Sequence, residues 1–210
     1  MLELNRRCLR LANAARTRKM GPVPSTDPRP LRADARRNRD RLLDAAARAF
    51  TEHGPEATLE AVAKDAGVGI GTLYRHFPTR EALVEATYRH ELDRLCDAAD
   101  DLLAELPPDR ALRAWMDRFV DYMTAKRGMS DTLRAIIASG GDPYAHSRDR
   151  MQAAIGTLLK ASAEAGTLRD DVRPEDLLRG VSGVSMVSDE EPEQAGRLLD
   201  LLMDGLRHRA

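Results

Sequence analysis

Apolar positions in this chain recur at intervals of three and four residues, the spacing that gathers side chains on one face of an α-helix. The pattern begins after Asp34. Leu43, Ala46, Ala47 and Phe50 share a face, and Gly54-Pro55 closes the element. Thr58 is placed to cap the next helix, with Glu60 in a first turn whose dipole favours an acid. Leu59, Val62, Ala63 and Ala66 form its buried side, and Gly67 stops it early. A short element from Ile70 to His76 follows. Pro78 and Thr79 then open a long helix in which Leu83, Ala86, Tyr88, Leu92, Leu95, Ala99, Leu102 and Leu103 keep one apolar face as far as Pro107-Pro108.

The second half repeats the rhythm. Leu112, Trp115, Met116, Phe119, Val120 and Met123 mark one helix, closed by Lys126-Arg127-Gly128. Met129, Leu133, Ile136 and Ile137 mark a shorter one, ended by Gly140-Gly141. The next is expected to start at Asp142-Pro143, to turn Met151, Ile155, Leu158, Leu159 and Ser162 inward, and to end at Gly166. Pro174 suits a first helical turn. Leu177, Leu178, Val181 and Val184 follow among the small residues Gly180, Ser182, Gly183 and Ser185, and Ala195, Leu198, Leu199, Leu202 and Leu206 carry the last helix. No stretch reads as a strand, so the expected fold is all-α. Residues 21–30 hold four prolines, which argue against a regular helix and mark a linker. The expected organisation is a tail and linker at 1–33, a three-helix head at 34–83 and a helical bundle at 84–210.

A chain of 210 residues is long enough to build a substantial core, and its alanine- and leucine-rich, aromatic-poor composition favours helices. The net charge of −1 hides an uneven distribution. Residues 1–41 hold twelve Lys and Arg against four Asp and Glu, whereas the rest of the chain holds twenty-one against thirty. The basic end reads either as an arm for a polyanion or as a solvated tail. Cys8 and Cys96 make neither a disulfide framework nor a zinc spacing and suit a reducing cytoplasm. No segment has the length and apolarity of a membrane span, and residues 1–19 lack the apolar core of a signal peptide. Met20 would serve equally well as a start, and on that reading residues 1–19 are an upstream extension without function. His53, His76, His90, His146 and His208 are scattered, with no metal-ligand spacing, and neither a phosphate-binding glycine loop nor a nucleophile elbow occurs. No catalysis, metal or cofactor is expected.

The informative stretch is Thr58–Leu83. Two short helices meet at a tight turn containing Gly67, the pattern of a helix-turn-helix. Ala63 is small enough for close packing, Gly67 tolerates the angles of the turn, Val68 and Leu73 fill the space between the helices, and Phe77 anchors the second. Gly71 on its first turn leaves room for a phosphate or base edge. Thr72, Tyr74 and His76 are three hydrogen-bonding side chains on a helix too short to need them. Arg80 sits in a first helical turn, where a cation is disfavoured by a few tenths of a kcal/mol unless a bound anion reverses the preference.

Residues 58–83, and above all the run Gly-Thr-Leu-Tyr-Arg-His-Phe at 71–77, resemble the signature of the tetracycline-repressor (TetR/AcrR) family, and the likeness extends from Arg39 to Tyr88. The resemblance implies a DNA-binding head and a body that binds a small effector and forms a homodimer, most often as a repressor that leaves a near-palindromic operator when the effector binds. It implies phosphate contacts at Thr58 and Tyr74, approach to the major groove at Gly71 and Thr72, and backbone contacts at His76 and Arg80. Arg36, Arg37 and Arg39 add phosphate or minor-groove contacts. Gly69 stands where the family often has serine, and Arg80 where it usually has lysine. Trp115–Arg127 also resembles the SbtR-like C-terminal domains.

In the body, Trp115, Met116, Phe119, Tyr122, Met123 and Tyr144 are candidates for lining an effector pocket, since methionines and flat aromatics suit varied apolar ligands, although such a stripe is more often plain core. Leu178, Val181, Val184, Leu198, Leu202 and Leu206 are the candidates for a four-helix dimer interface, with Gly180 and Gly183 allowing close approach. Like charges and prolines leave residues 1–30 nothing to fold around. Deleting residues 1–19 is therefore expected to leave the melting temperature unchanged in calorimetry, whereas a fall of several degrees would show that the tail packs on the body.

Overall fold

Prolines that exclude a helix interior are harmless in its first turn, and the structure uses them there. The computed structural model describes residues 28–187 and 192–207, and side chains from 34 to 186 and from 193 to 207. Helix α1 runs Pro28–His53. It starts earlier than its apolar face suggested, because the first N–H groups of a helix have no intrahelical partner to lose, so Pro28 and Pro30 forfeit nothing. The expectations for residues 1–27 lie outside the described residues. By its contacts the chain divides after Ala35, and Arg36–Ala210 forms one unit.

A single 3-10 turn at Gly54–Glu56 ends α1. It is followed by α2 (Leu59–Asp65), α3 (Ile70–His76), α4 (Arg80–Glu105), α5 (Pro108–Gly128), α6 (Ser130–Ala138), α7 (Ser147–Glu164), α8 (Pro174–Val187) and α9 (Pro192–Leu206), with no strand among the described residues. The caps follow the side chains. Thr58 Oγ1 accepts from Ala61 N–H at 3.2 Å, and Thr79 Oγ1 from Ala82 N–H at 3.1 Å. Helix α7 does not begin at Asp142-Pro143 as expected. Asp142 Oδ1 instead accepts from Tyr144 N–H, and His146 turns left-handed at φ 60°, so a helix becomes possible only from Ser147.

In the body, α4 packs against α5 and α7, and α5 reaches α7, α8 and α9. The largest fully buried side chains are Trp115, Tyr88, Phe50 and Phe119. Trp115 Nε1 donates to the Leu95 carbonyl at 2.8 Å, which ties α5 to α4 without leaving a buried donor unpaired. Tyr122 donates to Tyr88 at 2.9 Å, and Tyr88 to Ser147 at 3.1 Å, a buried hydroxyl chain from α5 through α4 to α7. Burial pushes the Tyr122 hydroxyl far above the usual phenol range, so it stays protonated and donating.

Among the described glycines, the one with least room for a side chain lies where α5 ends. A Cβ built on Gly128 would lie 1.9 Å from the Phe50 carbonyl oxygen, so only glycine lets the end of α5 rest on α1. The interfering atom is backbone and cannot swing aside. Gly128→Ala is expected to cost about 1–3 kcal/mol through overpacking, read in calorimetry as a melting temperature lower by roughly 2–12 °C. An unchanged melt would mean that the two helices part freely.

Candidate nucleic-acid interface

The second helix of a helix-turn-helix is useful only if one side is held and the other is free. Leu73 is fully buried and Phe77 nearly so, and both belong with Val62 and Ala63 of α2 to one hydrophobic core. The turn between α2 and α3 is closed by Val68 N–H donating to the Ala63 carbonyl at 3.0 Å, with Gly67 at φ +67°. Arg48 of α1 donates twice to Asp65 Oδ2 at the end of α2, at 2.7 and 3.2 Å. This exposed pair links the end of α2 to α1 and adds little stability by itself.

Among the described residues, the outer side of α3 is left open. Tyr74 is 45 % exposed and Ile70 37 %, high values for such side chains. A Cβ at Gly69 or Gly71 would find no atom within 4 Å, so the internal packing does not demand glycine at either position. Thr72 and His76 are half-buried, and Thr72 Oγ1 accepts from Arg75 Nη2 at 3.0 Å. The sequence reading passed over Arg75, which is exposed on α3 and folded back onto Thr72 and the Gly71 carbonyl. It fills the variable place in the 71–77 run, and its charge was the available signal.

Of the basic residues of α1, one is placed at the end of α3. Arg36, Arg37 and Arg39 are exposed. The Arg39 guanidinium lies 5.6 Å from the centre of the Phe77 ring, beside the end of α3. Arg80 differs from the expectation of a side chain turned to an external anion. It is half-buried, it donates to the Ala57 carbonyl at 2.5 Å and to the Pro55 carbonyl at 2.9 Å, and its guanidinium lies 5.2 Å from the centre of the Phe50 ring. It holds the 3-10 turn after α1 to the start of α4.

The residues expected in an effector pocket divide into two groups. Phe119, Tyr122 and Met123 line a cavity of about 390 Å3 between α5, α7 and α8, together with Lys126, Met151 and Leu178. Trp115, Met116 and Tyr144 do not line it. Trp115 and Met116 are fully buried in the core between helices, and Tyr144 packs edge-on against Tyr88 at 5.2 Å. A larger groove of about 550 Å3 between α4 and α5 is lined mainly by charged side chains, among them Arg94, Asp101 and Asp121, and has the character of a wet surface.

The expected dimer residues need correction. Val181 is fully buried, and Leu178, Val184 and Leu206 are at most 9 % exposed within the protomer, so they bring almost no surface to a partner. Helical spacing could not tell whether this face meets its own bundle or a second copy. Gly180 likewise serves the protomer, since its Cβ would lie 3.6 Å from Leu202 of α9. Leu198 and Leu202 are half-buried, while Met186 and Leu201 are 75 % and 66 % exposed.

Comparison with known proteins agrees with this layout. The family model of bacterial regulatory proteins of the tetR family matches residues 42–87, and that of the SbtR-like transcriptional regulator C-terminal domain matches residues 107–208. The crystal structure of the TetR transcriptional regulator SCO0520 from Streptomyces coelicolor is 56 % identical, covering 82 % of this chain and 99 % of that one, with a TM-score of 0.79. The chain belongs to the TetR family of transcriptional regulators. A TetR transcription regulatory protein from Mycobacterium vanbaalenii is 35 % identical over 85 % of this chain and 100 % of its own, with a TM-score of 0.70. The HTH-type transcriptional repressor Rv1474c of Mycobacterium tuberculosis is 28 % identical over 80 % of this chain and 92 % of its own.

As a TetR-family protein it regulates transcription through DNA and is not an enzyme. The first family match ends inside α4, and the second covers α5 to α9 and with them the cavity. The boundary expected between residues 83 and 84 falls within the unbroken α4.

Arg80→Ala removes two hydrogen bonds and a ring contact, and is expected to cost about 1–3 kcal/mol of stability. Arg75→Ala, at the surface, should stay within about 0.5 kcal/mol. Denaturant titration of the two variants checks the contrast, and equal midpoints would return Arg80 to a purely external role.

Proposed function

We propose that this TetR-family regulator is a cytoplasmic homodimeric repressor that a small-molecule effector releases from a near-palindromic DNA operator. The observation that carries the reading is α3 itself, buried along Leu73 and Phe77 and open along Ile70, Gly71 and Tyr74. A helix held in this way fits the major groove, with Gly71 and Thr72 against base edges. Tyr74, Thr58 and His76 contact the phosphates, and Arg36, Arg37, Arg39 and Arg75 supply positive charge around them. Arg80 contributes chiefly by setting the start of α4. The head is assigned to residues 34–83 and the body to 84–210.

The body supports control. The cavity between α5, α7 and α8 lies within the size range of small-molecule sites. An effector that binds the DNA-incompetent arrangement better by about 1–3 kcal/mol weakens operator binding some five- to 150-fold. Dimerisation is assigned to α8 and α9, with Leu201 and Met186 as the apolar surface. A two-fold axis then sets two copies of α3 one helical turn apart, roughly 34–36 Å, or a multiple of it.

A mobility-shift titration with the DNA upstream of the gene tests the reading. Tyr74→Phe is expected to weaken operator and random DNA alike by about ten-fold, the loss of one hydrogen bond to a charged group. The logarithm of affinity should fall with that of salt at about 0.9 per phosphate neutralised. A sequence-selective loss for Tyr74→Phe would place its side chain on a base instead. In sedimentation, the parent is expected to be a dimer at micromolar concentration and Leu201→Glu a monomer. A dimer that tolerates Leu201→Glu would exclude this face of α9.

A further inference from the structure

Lys126 is the unusual charge of the body. It lies in the last turn of α5, half-buried, and lines the cavity between α5, α7 and α8. Its ammonium lies over two aromatic rings, with the centre of the Tyr144 ring at 4.4 Å and that of Tyr88 at 5.9 Å. Among the described residues no carboxylate pairs with it, and burial alone pushes its pKa below the ordinary lysine value. A lysine that serves only packing keeps its charged head in water. This one holds it against ring faces, where a cation is tolerated but not neutralised. The rest of the lining has the same bias. Arg148 and Arg179 add two cations and Glu175 one carboxylate; Glu175 pairs with Arg173 at 3.6 Å and Arg179 with Asp176 at 3.4 Å, so Arg148 adds to the positive side of the lining. The remaining surface is mainly apolar, from Phe119, Met123, Met151, Leu178 and Met186, with Tyr122, Gln152 and Ser182 as its uncharged polar members.

We propose that the ligand of this cavity is a small amphipathic anion, an apolar body bearing one carboxylate, sulfonate or comparable group, seated between α5, α7 and α8 with its charge on the Lys126 ammonium. The proposal rests on the reading of this cavity as the effector site and adds the chemical class. The anion supplies the counter-charge that the fold withholds, and in a half-desolvated site such a pair is worth more than at an open surface. A neutral ligand of the same shape gains the apolar contacts and leaves the cation as it was.

Two fluorescent probes isolate the charge. 1-Anilinonaphthalene-8-sulfonate and N-phenyl-1-naphthylamine share one ring system and differ by the sulfonate. Titrated into the full chain, the sulfonate is expected to bind about ten-fold more tightly. Lys126→Met and Lys126→Gln should each erase that preference while leaving the neutral amine's affinity unchanged, and Lys126→Arg should retain it. Equal affinities in the parent, or a preference that survives both neutral substitutions in variants with parental melting curves, overturn the anionic class and leave the cavity standing. Gly183→Phe tests the cavity itself, because Gly183 lines it and a Cβ there meets nothing within 4 Å. It should exclude both probes. Probes that bind Gly183→Phe as well as the parent, or that fail to bind the parent at all, overturn the effector site together with its ligand class.

Discussion

Phe50 is the point on which the start of α4 and the end of α5 both bear. Its ring is buried and holds the Arg80 guanidinium at the start of α4, while its carbonyl meets Gly128 at the end of α5. One residue of α1 thus fixes the entrance of one long helix and the exit of another. Interiors are packed too densely for such a junction to yield gradually. A displacement of the end of α5 must therefore be taken up at α1 or at α4.

The same junction brings two tasks onto one helical turn. Lys126 faces the cavity, and two residues later Gly128 rests on α1. Lateral ties add to the junction. Asp44 of α1 accepts from Arg94 at 3.2 Å and lies 3.1 Å from His90 Nε2, both of α4. These pairs are partly exposed and weak singly, so they align α1 and α4 more than they stabilise the fold. The stiffness comes from the apolar contacts and from the absence of a gap at Gly128.

The α3 surface shows the opposite economy. A protein folding for stability alone would cover Ile70 and Tyr74 and place alanine at Gly71, since glycine in an exposed helix costs up to about 1 kcal/mol relative to alanine. Leaving Ile70 and Tyr74 open and Gly71 small is what the proposed role of α3 against DNA requires.

The helices of the head and body, the Thr58 cap, the Gly67 turn and the buried roles of Ala63, Leu73 and Phe77 were all legible in the sequence, because each depends on neighbours within a few residues. The 71–77 run was legible for the same reason. What escaped depended on partners distant in the chain. Pro28 and Pro30 read as helix breakers until their position in a first turn was known, and Asp142 read as a helix start until its side chain was seen closing a turn. Trp115 and Phe119 lie on one face of α5 at helical spacing, yet the first fills the core and the second lines a cavity, a difference made by α7 and α8 and by nothing in α5. Val181 looked like interface for the same reason. Arg80 looked free because its acceptors, the Pro55 and Ala57 carbonyls, precede it by more than twenty residues. Periodicity states that a face is apolar. Which surface covers it is settled only when helices from remote parts of the chain compete to bury it.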